Sequence, residues 1–321
     1  MIVSITHELD LDGLGSQAIV KRYFTNFNKI NSHEILCYYA HYTNFIEITR
    51  NVLSKIPSEG QLIISDIGFN DDFRQLFPLF EKCKKKKCKI FWFDHHIVDK
   101  EIKRELKEIL EVYINDPNRC AAEIIKDYYL PNDSIAIKIA SFSRDIDFQI
   151  KKYINATKIQ SIIAFNRGNE LNKNKEKVVN LLADGTFENE WYDEQLIKIK
   201  EWEEEQTKFA LTHIKIIEIE EFGKISVSYA NLGGGKIVSI LKDHFPEIKL
   251  YIGIDFRYNE IIIHSDYVDC GEFARNFKGG GHRNRAGFEI DKIFTENNEF
   301  SVAFLRNIIE NILKFKIKKA Q

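Results

Sequence analysis

The 321-residue chain is 44% hydrophobic and 29% charged, which is typical of a soluble globular protein and excludes a disordered or fibrous one. Its net charge of −2 excludes a uniformly basic nucleic-acid-binding surface, so positive charge for binding phosphate would have to be local or come from a metal ion. The five scattered cysteines argue against a disulfide framework, and neither a membrane-spanning apolar run nor a secretion signal is recognisable, so we expect a cytoplasmic protein with no membrane partner.

Strand-like and helix-like segments alternate in the first third of the chain. Strands are predicted at residues 1–7, 34–40, 61–67 and 88–96, and helices between them at 14–28, 45–56 and 71–85. Strand, helix and strand in succession predict a parallel sheet with crossover helices. Two further helices are predicted at residues 120–130 and 134–143.

The pattern changes in the second half of the chain. A long amphipathic helix is predicted at residues 193–214, followed by short strands at 214–220, 224–230, 249–257 and 260–265. We therefore expect an α/β protein with an N-terminal parallel-sheet domain at 1–165, a helical linker at 166–212 and a smaller C-terminal α/β domain at 213–321. Two lesser segments, NLGGGKIVSI at 231–240 and CKKKKCK at 83–89, are interpreted as a loop and a solvated connection.

Acidic and imidazole side chains follow three of the predicted strands. His7, Asp10 and Asp12 follow the first, Asp66 ends the third, and Asp94, His95 and His96 end the fourth. In an open parallel sheet, ligands bind at the carboxyl ends of the strands, so these residues are predicted to meet at one edge. A single aspartate in such a place is usually a helix N-cap, but the joint occurrence at three strand ends favours a site.

Mixed imidazole and carboxylate ligands suit Mn²⁺, Zn²⁺ or Fe²⁺ better than Mg²⁺. Seven such side chains exceed the needs of one ion. Two ions roughly 3.5–4 Å apart, bridged by a shared carboxylate, would account for the crowding and would activate water against a phosphorus centre.

The motifs HELDLDG (7–13), SDIG (65–68), DHH (94–96) and SRDIDF (143–148) resemble those of the DHH phosphoesterase superfamily. KGGGHRNRAGFEI (278–290) resembles the GGGH signature of the DHHA1 substrate-binding domain. Together the motifs span nearly the whole chain. The spacing from His7 to the paired aspartates, H-x-x-D-x-D, differs by one residue from that of the relatives.

The resemblance implies roles for these residues. His7, Asp10 and Asp66 would hold one metal ion, and Asp12, Asp66, His95 and an aspartate of the fourth motif the other. For that aspartate both Asp145 and Asp147 are candidates. Asp94 would orient its neighbours, and His96 would act near the scissile phosphate as an electrostatic or general-acid group.

The glycine-rich stretch near the C-terminus is the predicted substrate-binding element. Backbone N–H groups of Gly279, Gly280 and Gly281 can approach an anion closely, and His282 and Arg285 supply positive charge beside them. The family resemblance adds Arg257 as a weaker candidate for a nucleotide contact.

The resemblance therefore implies a Mn²⁺-dependent, two-metal phosphoesterase, and within the family an oligoribonuclease-type exonuclease acting on short RNA or DNA oligonucleotides. Other divalent ions such as Mg²⁺ remain open. The alternatives are a 3′-phosphoadenosine 5′-phosphate phosphatase, a linear or cyclic dinucleotide phosphodiesterase, a RecJ-like single-strand DNA exonuclease, and a non-catalytic nucleic-acid-binding scaffold. A homodimer is compatible with the sequence, which leaves the oligomeric state open.

Overall fold

The computed structural model describes residues 1–220 and 222–289, and it divides the chain into two units, Met1–Ile199 and Lys200–Gln321. The division falls inside the stretch 166–212 that the sequence predicts as a helical linker, within a helix that runs from Glu190 to Thr212. Residues 290–321 of the predicted C-terminal domain, with the last residue of the GGGH motif, lie outside the described residues.

The N-terminal unit contains a five-stranded sheet in which every pairing is parallel. Its strands, in chain order, are β1 (Ile2–His7), β2 (Ile35–Ala40), β3 (Gln61–Ser65), β4 (Lys89–Asp94) and β5 (Val112–Asn115). Their spatial order is β2-β1-β3-β4-β5. The predicted parallel sheet is therefore confirmed. The fifth strand was not predicted, because four residues ending in a polar side chain give too short an apolar pattern.

Helices cover both faces of this sheet. They are α1 (Leu11–Arg22), α2 (Phe45–Lys55), α3 (Phe77–Lys85), α4 (Lys100–Ile109), α5 (Ala121–Tyr129), α6 (Ser134–Asp147), α7 (Ile154–Phe165), α8 (Asn172–Ala183) and α9 (Glu190–Thr212). The single helix predicted at 71–85 is instead a 3₁₀ turn, Asp71–Leu76, followed by α3. Pro78 lies in the first turn of α3, where its missing N–H costs no hydrogen bond, so a new helix starts there.

Alternate residues of each strand contribute to different cores. Ile63 of β3 packs with α1 and α5–α8, whereas Leu62 and Ile64 pack on the opposite face among residues of α2, α3 and α4. Side chains of a strand point alternately to its two faces, so near-continuous apolar strands such as β3 and β4 are buried between two helical layers. The two helical layers thus cover the faces of the sheet, and its carboxyl edge remains available for a site.

The C-terminal unit is built on a six-stranded mixed sheet with spatial order β10-β11-β9-β8-β7-β6. Its strands are β6 (Lys215–Ile219), β7 (Gly223–Ala230), β8 (Leu250–Asp255), β9 (Glu260–His264), β10 (Gly280–His282) and β11 (Arg285–Glu289). Only β7 and β8 pair in parallel; the other pairings are antiparallel. The expectation of an N-terminal parallel-sheet domain and a smaller α/β domain is confirmed.

Two helices accompany the second sheet, α10 (Gly234–His244) and α11 (Cys270–Arg275). The prediction that residues 231–240 form a loop was wrong, because α10 begins inside them. A Cβ on Gly234 would lie 2.7 Å from the carbonyl oxygen of Gly253, so glycine lets the helix start directly against β8. Ile237, Val238 and Leu241 then bury one face of the helix.

Within the described part of the chain, no helix combines the length and the apolar character that crossing a membrane requires.

Candidate metal centre

The strand ends bring the predicted ligands together. His7 is the last residue of β1, Asp66 directly follows β3, and His95 directly follows β4. These three strands are neighbours in the sheet, so their carboxyl ends lie side by side. Asp66 takes the left-handed backbone conformation, with φ of 56°, which turns its side chain back over this edge.

Three overlapping groups of donor atoms occupy this edge, each with its atoms within 4.8 Å of one another. They are His7, Asp10 and Asp66; Asp66, His95 and His96; and Asp12, His95 and Asp147. Asp66 belongs to the first two groups and His95 to the last two. The first group is the set that the sequence predicted for one ion. The others contain the remaining predicted ligands except Asp145.

The distances between these donor atoms fit ligands that surround a shared cation. His7 Nδ1 lies 3.5 Å from Asp10 Oδ2 and 3.6 Å from Asp66 Oδ2. His95 Nε2 lies 3.3 Å from Asp66 Oδ1 and 3.8 Å from Asp12 Oδ2, and its Nδ1 lies 3.6 Å from Asp147 Oδ2. Ligand atoms about 2.0–2.2 Å from one ion lie somewhat over 3 Å from each other, so these separations need little adjustment.

Two buried atoms of the candidate ligands lack any hydrogen-bond partner among the described residues: His7 Nε2 and Asp66 Oδ2. An unpaired carboxylate oxygen shielded from water costs free energy unless a positive group satisfies it. The nitrogen and oxygen donors, their burial and the unpaired Asp66 oxygen therefore fit a bound divalent cation, and the mixed donor set suits Mn²⁺, Fe²⁺ or Zn²⁺.

The ionisation of these groups reflects the crowding. Burial opposes protonation of the His7 ring, but the neighbouring carboxylates of Asp10 and Asp66 outweigh it and raise the pKa of His7 to about 10. Burial, reinforced by the neighbouring carboxylates, raises the pKa values of Asp12 and Asp66. In the metal-free protein, protons on the imidazoles thus supply the positive charge that the acids require, and a metal ion would have to displace them.

The loop between β1 and α1 is shaped by local contacts. Asp10 caps α1, since its Oδ1 accepts a hydrogen bond of 3.0 Å from the Gly13 N–H. A Cβ on Gly13 would lie 2.2 Å from the carbonyl oxygen of His7, so only glycine lets the helix start this close to the strand. Asp12 is buried inside the first turn of α1, where its two oxygens accept the N–H groups of Ala121 and Ala122 at 2.7 and 2.8 Å. The N-terminus of α5 thereby stabilises the Asp12 carboxylate.

Asp94 holds His96. Its Oδ1 lies 2.8 Å from His96 Nδ1, and its Oδ2 accepts hydrogen bonds from the His96 backbone N–H and from the Asn115 amide. The bond to Asp94 raises the pKa of His96. The Asp94 contact leaves Nε2 of His96 for other partners, and the orienting role of Asp94 stays a prediction. Sequence reasoning missed Asn115 because it missed β5.

The fourth motif offered Asp145 and Asp147, and the structure separates them. Asp145 is buried, and its two oxygens accept the N–H groups of Lys152 and Tyr153 at 2.7 and 3.1 Å. Residues two apart on a helix point roughly 200° apart, so Asp147 faces His95 while Asp145 faces the other way. Asp145 therefore joins none of the donor groups, whereas Asp147 belongs to the group of Asp12, His95 and Asp147.

Other residues near the centre gave no signal in the sequence. Lys175 of α8 is fully buried and forms an ion pair with Glu8, next to His7, and also donates to the Gly168 carbonyl at 3.0 Å. The Tyr42 hydroxyl accepts the Gly68 N–H at 3.1 Å, and its ring lies edge-on to those of His7 and His96. These contacts stabilise the loops that carry the candidate ligands.

The predicted substrate-binding glycines lie in the C-terminal unit, in and beside the exposed strand β10. His282 pairs with Arg285 across the β10–β11 hairpin, and Gly281 has φ of +143°. A Cβ on Gly279 would lie 2.2 Å from the Gly287 carbonyl oxygen, so packing alone already requires that glycine.

The two arginines of this unit are placed differently. Arg285 Nη2 lies against Gly235, in the first turn of α10. Arg257 binds Asp255 through two hydrogen bonds of 3.0 and 2.7 Å, and its guanidinium lies over the Trp202 ring. The Asp255 carboxylate is therefore its main partner, and substrate contacts of both arginines stay predictions.

Comparisons with known proteins agree with this architecture. Residues 1–144 match the family model described as "DHH family, N-terminal domain". A curated relative, a 3′,5′-cyclic-nucleotide phosphodiesterase of Helicobacter pylori, is 25% identical over 332 aligned residues, which cover 88% of this chain and 91% of the relative.

Two solved structures share the fold. A DHH domain described as a member of the s1p family of ribosomal proteins has a TM-score of 0.60 at 16% identity, with 98% of this chain and 87% of that chain covered. The pGpG-specific phosphodiesterase of Vibrio cholerae has a TM-score of 0.51 at 11% identity, with 98% and 100% covered. These two likenesses show a shared fold, and residues 1–144 match the N-terminal domain of the DHH family.

Proposed function

We propose that the protein is a two-metal, Mn²⁺-dependent phosphodiesterase that hydrolyses short oligonucleotides. The observation that carries this proposal is Asp66, whose two oxygens face different imidazoles, His7 and His95, in two donor groups. A carboxylate so placed suits a bridge between two cations, the arrangement used to stabilise both attacking and leaving oxygens of a phosphoryl group.

The proposed ligands are His7, Asp10 and Asp66 for one ion, and Asp12, Asp66, His95 and Asp147 for the other. When bound, divalent cations lower the pKa of water and polarise a phosphoryl oxygen. The chain's own contribution is to hold these side chains in place through the α5 N-terminus and the carboxyl ends of β1, β3 and β4.

His96 is the proposed proton donor. The contact between Nδ1 and Asp94 raises the pKa of His96 and fixes the ring, which leaves Nε2 to donate a proton to a departing oxygen. His96 also belongs to one donor group, so it could serve as a proton donor or as a metal ligand. A His96 substitution separates these roles: loss of bound metal indicates a ligand, and loss of turnover alone indicates a proton donor.

Substrate binding is assigned to the second unit. Gly279 to Gly281, His282 and Arg285 would bind a phosphate of the substrate, in keeping with the resemblance of this segment to a DHHA1 domain. The net charge of −2 supports a short substrate, because proteins that track long strands usually carry a basic groove. A cytoplasmic location and a homodimer stay predictions.

A second candidate is hydrolysis of 3′,5′-cyclic nucleotides. It is favoured by the Helicobacter pylori relative, whose alignment covers most of both chains. Both reactions break a phosphodiester bond, and they differ in whether the leaving oxygen stays tethered to the product.

The test compares substrates with Mn²⁺ present. End-labelled RNAs of two, five and twenty-four nucleotides, matched DNAs, 3′-phosphoadenosine 5′-phosphate and 3′,5′-cyclic AMP are each incubated with the protein and with an Asp66→Asn control. Rapid loss of the short RNAs with the longest spared supports the proposal. Turnover of cyclic AMP alone establishes the second candidate, and turnover that persists in Asp66→Asn contradicts the bridged metal centre.

A further inference from the structure

A groove of about 600 Å³ lies in the N-terminal unit, between α6 and the start of α7. Lys138 lines it, and Lys138 and Asp147 are nine residues apart on the same helix, which places them on faces roughly 180° apart. The groove is therefore on the side of α6 that faces away from the metal centre. No role proposed for that centre uses it.

The walls of the groove are apolar. Ile137 and Ile154 are 43% and 75% exposed, whereas aliphatic side chains that belong to a core are buried. The half-buried Tyr153 ring and the buried Phe142 ring, 5.2 Å apart, form its aromatic part. A volume of this size is in the range of small-molecule sites, and apolar walls with a few polar groups are typical of them.

Two lysines stand at the groove without acidic partners. Lys138 Nζ lies 4.4 Å from the centre of the Phe187 ring, and Lys152 Nζ lies 5.1 Å from that of Tyr153. Among residues 1–220 and 222–289, neither ammonium has a carboxylate oxygen within 4 Å. The acid at the groove's edge, Glu188, instead accepts a hydrogen bond from Asn155. The groove thus presents uncompensated positive charge beside an apolar surface.

The segment that carries Lys152 and Tyr153 is held in a strained conformation. Gln149 and Lys151 both have positive φ, 54° and 61°, which non-glycine residues seldom adopt. The buried Asp145 carboxylate accepts the N–H groups of Lys152 and Tyr153 and so fixes this turn. Strained backbone that a buried side chain maintains is typical of ligand sites. It holds the binding side chains in their bound positions before the ligand arrives, which lowers the entropy cost of binding.

We propose that this groove binds a nucleotide, with the base against the Tyr153 ring and the two isoleucines, and the phosphate between Lys138 and Lys152. A ligand must combine a flat apolar part with negative charge to match both features, and a nucleotide has both in one small molecule. Aromatic side chains beside basic ones are the usual means of binding nucleotides without a metal. This site is separate from the proposed metal centre, and its test does not depend on the proposed reaction.

The test measures binding of AMP to the full-length protein in EDTA, where metal-dependent binding at the catalytic edge is removed. Isothermal titration is expected to give a Kd below about 1 mM for AMP, and binding at least tenfold weaker for adenosine and for pyrophosphate, since each offers only half of the ligand. The double variant Lys138→Ala/Lys152→Ala is expected to raise the Kd for AMP at least tenfold.

Three comparisons locate the binding. Lys158→Ala, an exposed lysine on α7 outside the groove, is expected to leave the Kd unchanged. Tyr153→Leu is expected to weaken binding while Tyr153→Phe retains it, with unfolding curves to verify that both variants are folded. Arg285→Ala is expected to have no effect, because it alters only the predicted phosphate-binding loop of the other unit.

The proposal is overturned if AMP does not bind, if the lysine double variant binds it as the native chain does, or if Arg285→Ala abolishes binding. It is also overturned if pyrophosphate alone binds as tightly as AMP, or if an acidic amphipathic peptide binds the groove and AMP does not. None of these outcomes depends on whether the protein hydrolyses oligonucleotides.

Discussion

Replacing Asp66 by asparagine tests whether one carboxylate serves two metal ions. Asp66 is 2% exposed and has φ of 56°, a conformation that asparagine adopts more readily than most residues, so Asp66→Asn keeps both shape and backbone. The change weakens both donor groups that contain Asp66. Asp10→Asn weakens only the group of His7, Asp10 and Asp66.

The size of the effect follows from mass action. An ion present at 100 times its dissociation constant stabilises the folded state by about 2.7 kcal/mol per site. For a unit of this length, 1 kcal/mol shifts Tm by about 2–4 °C, so two ions raise the Tm of the native chain by roughly 10–20 °C. Asp66→Asn is expected to lose all of this rise, and Asp10→Asn about half.

The assay is thermal unfolding by circular dichroism in Mn²⁺ and in EDTA, with metal content measured after desalting. Asp71→Asn is the matched control, because the side chain of Asp71 is 87% exposed, lies in the 3₁₀ turn Asp71–Leu76 and belongs to none of the donor groups. Two bound ions and an undiminished Tm rise in Asp66→Asn would refute the shared-carboxylate reasoning. Loss of only half the rise would show that Asp66 serves a single ion.

Three further predictions concern individual charged side chains. Asp147→Asn is expected to lower the bound metal content, whereas Asp145→Asn should leave it unchanged and reduce the free energy of unfolding by about 1–3 kcal/mol, since it loses a backbone acceptor; metal analysis and urea unfolding distinguish the two. Lys175→Met leaves a buried carboxylate unpaired and is expected to cost about 3–5 kcal/mol in urea unfolding, and a loss under 1 kcal/mol would show that this pair contributes little. The bidentate bond from Arg22 lowers the pKa of Asp133 below 3.8, so this pair stabilises the fold above that pH and the effect is lost as the pH falls through the folded-state pKa. Asp133→Asn should therefore cost about 1 kcal/mol at pH 7 and progressively less as the pH falls through the folded-state pKa of Asp133, and a cost that stays constant as the pH falls would contradict the electrostatic cause.

The sequence was most informative where the signal was local. Apolar strands that each end in histidine or aspartate are readable without any structure, because parallel strands bring their carboxyl ends to one edge. His7, Asp66 and His95 were therefore predicted to meet, and they do. Prediction failed for β5, because four residues carry little periodicity. It also failed at the start of α10, because three successive glycines suit a loop as well as a helix packed closely on a strand.

The sequence by itself therefore determined the parallel sheet and the edge at which the candidate histidine and aspartate ligands meet. Only the tertiary structure decided which of Asp145 and Asp147 faces His95, because the phase of α6 depends on packing along its whole length. Only the structure showed that the α5 N-terminus holds Asp12 and that Lys175 neutralises Glu8. These contacts join residues more than a hundred positions apart, and burial, which no local pattern encodes, determines their strength.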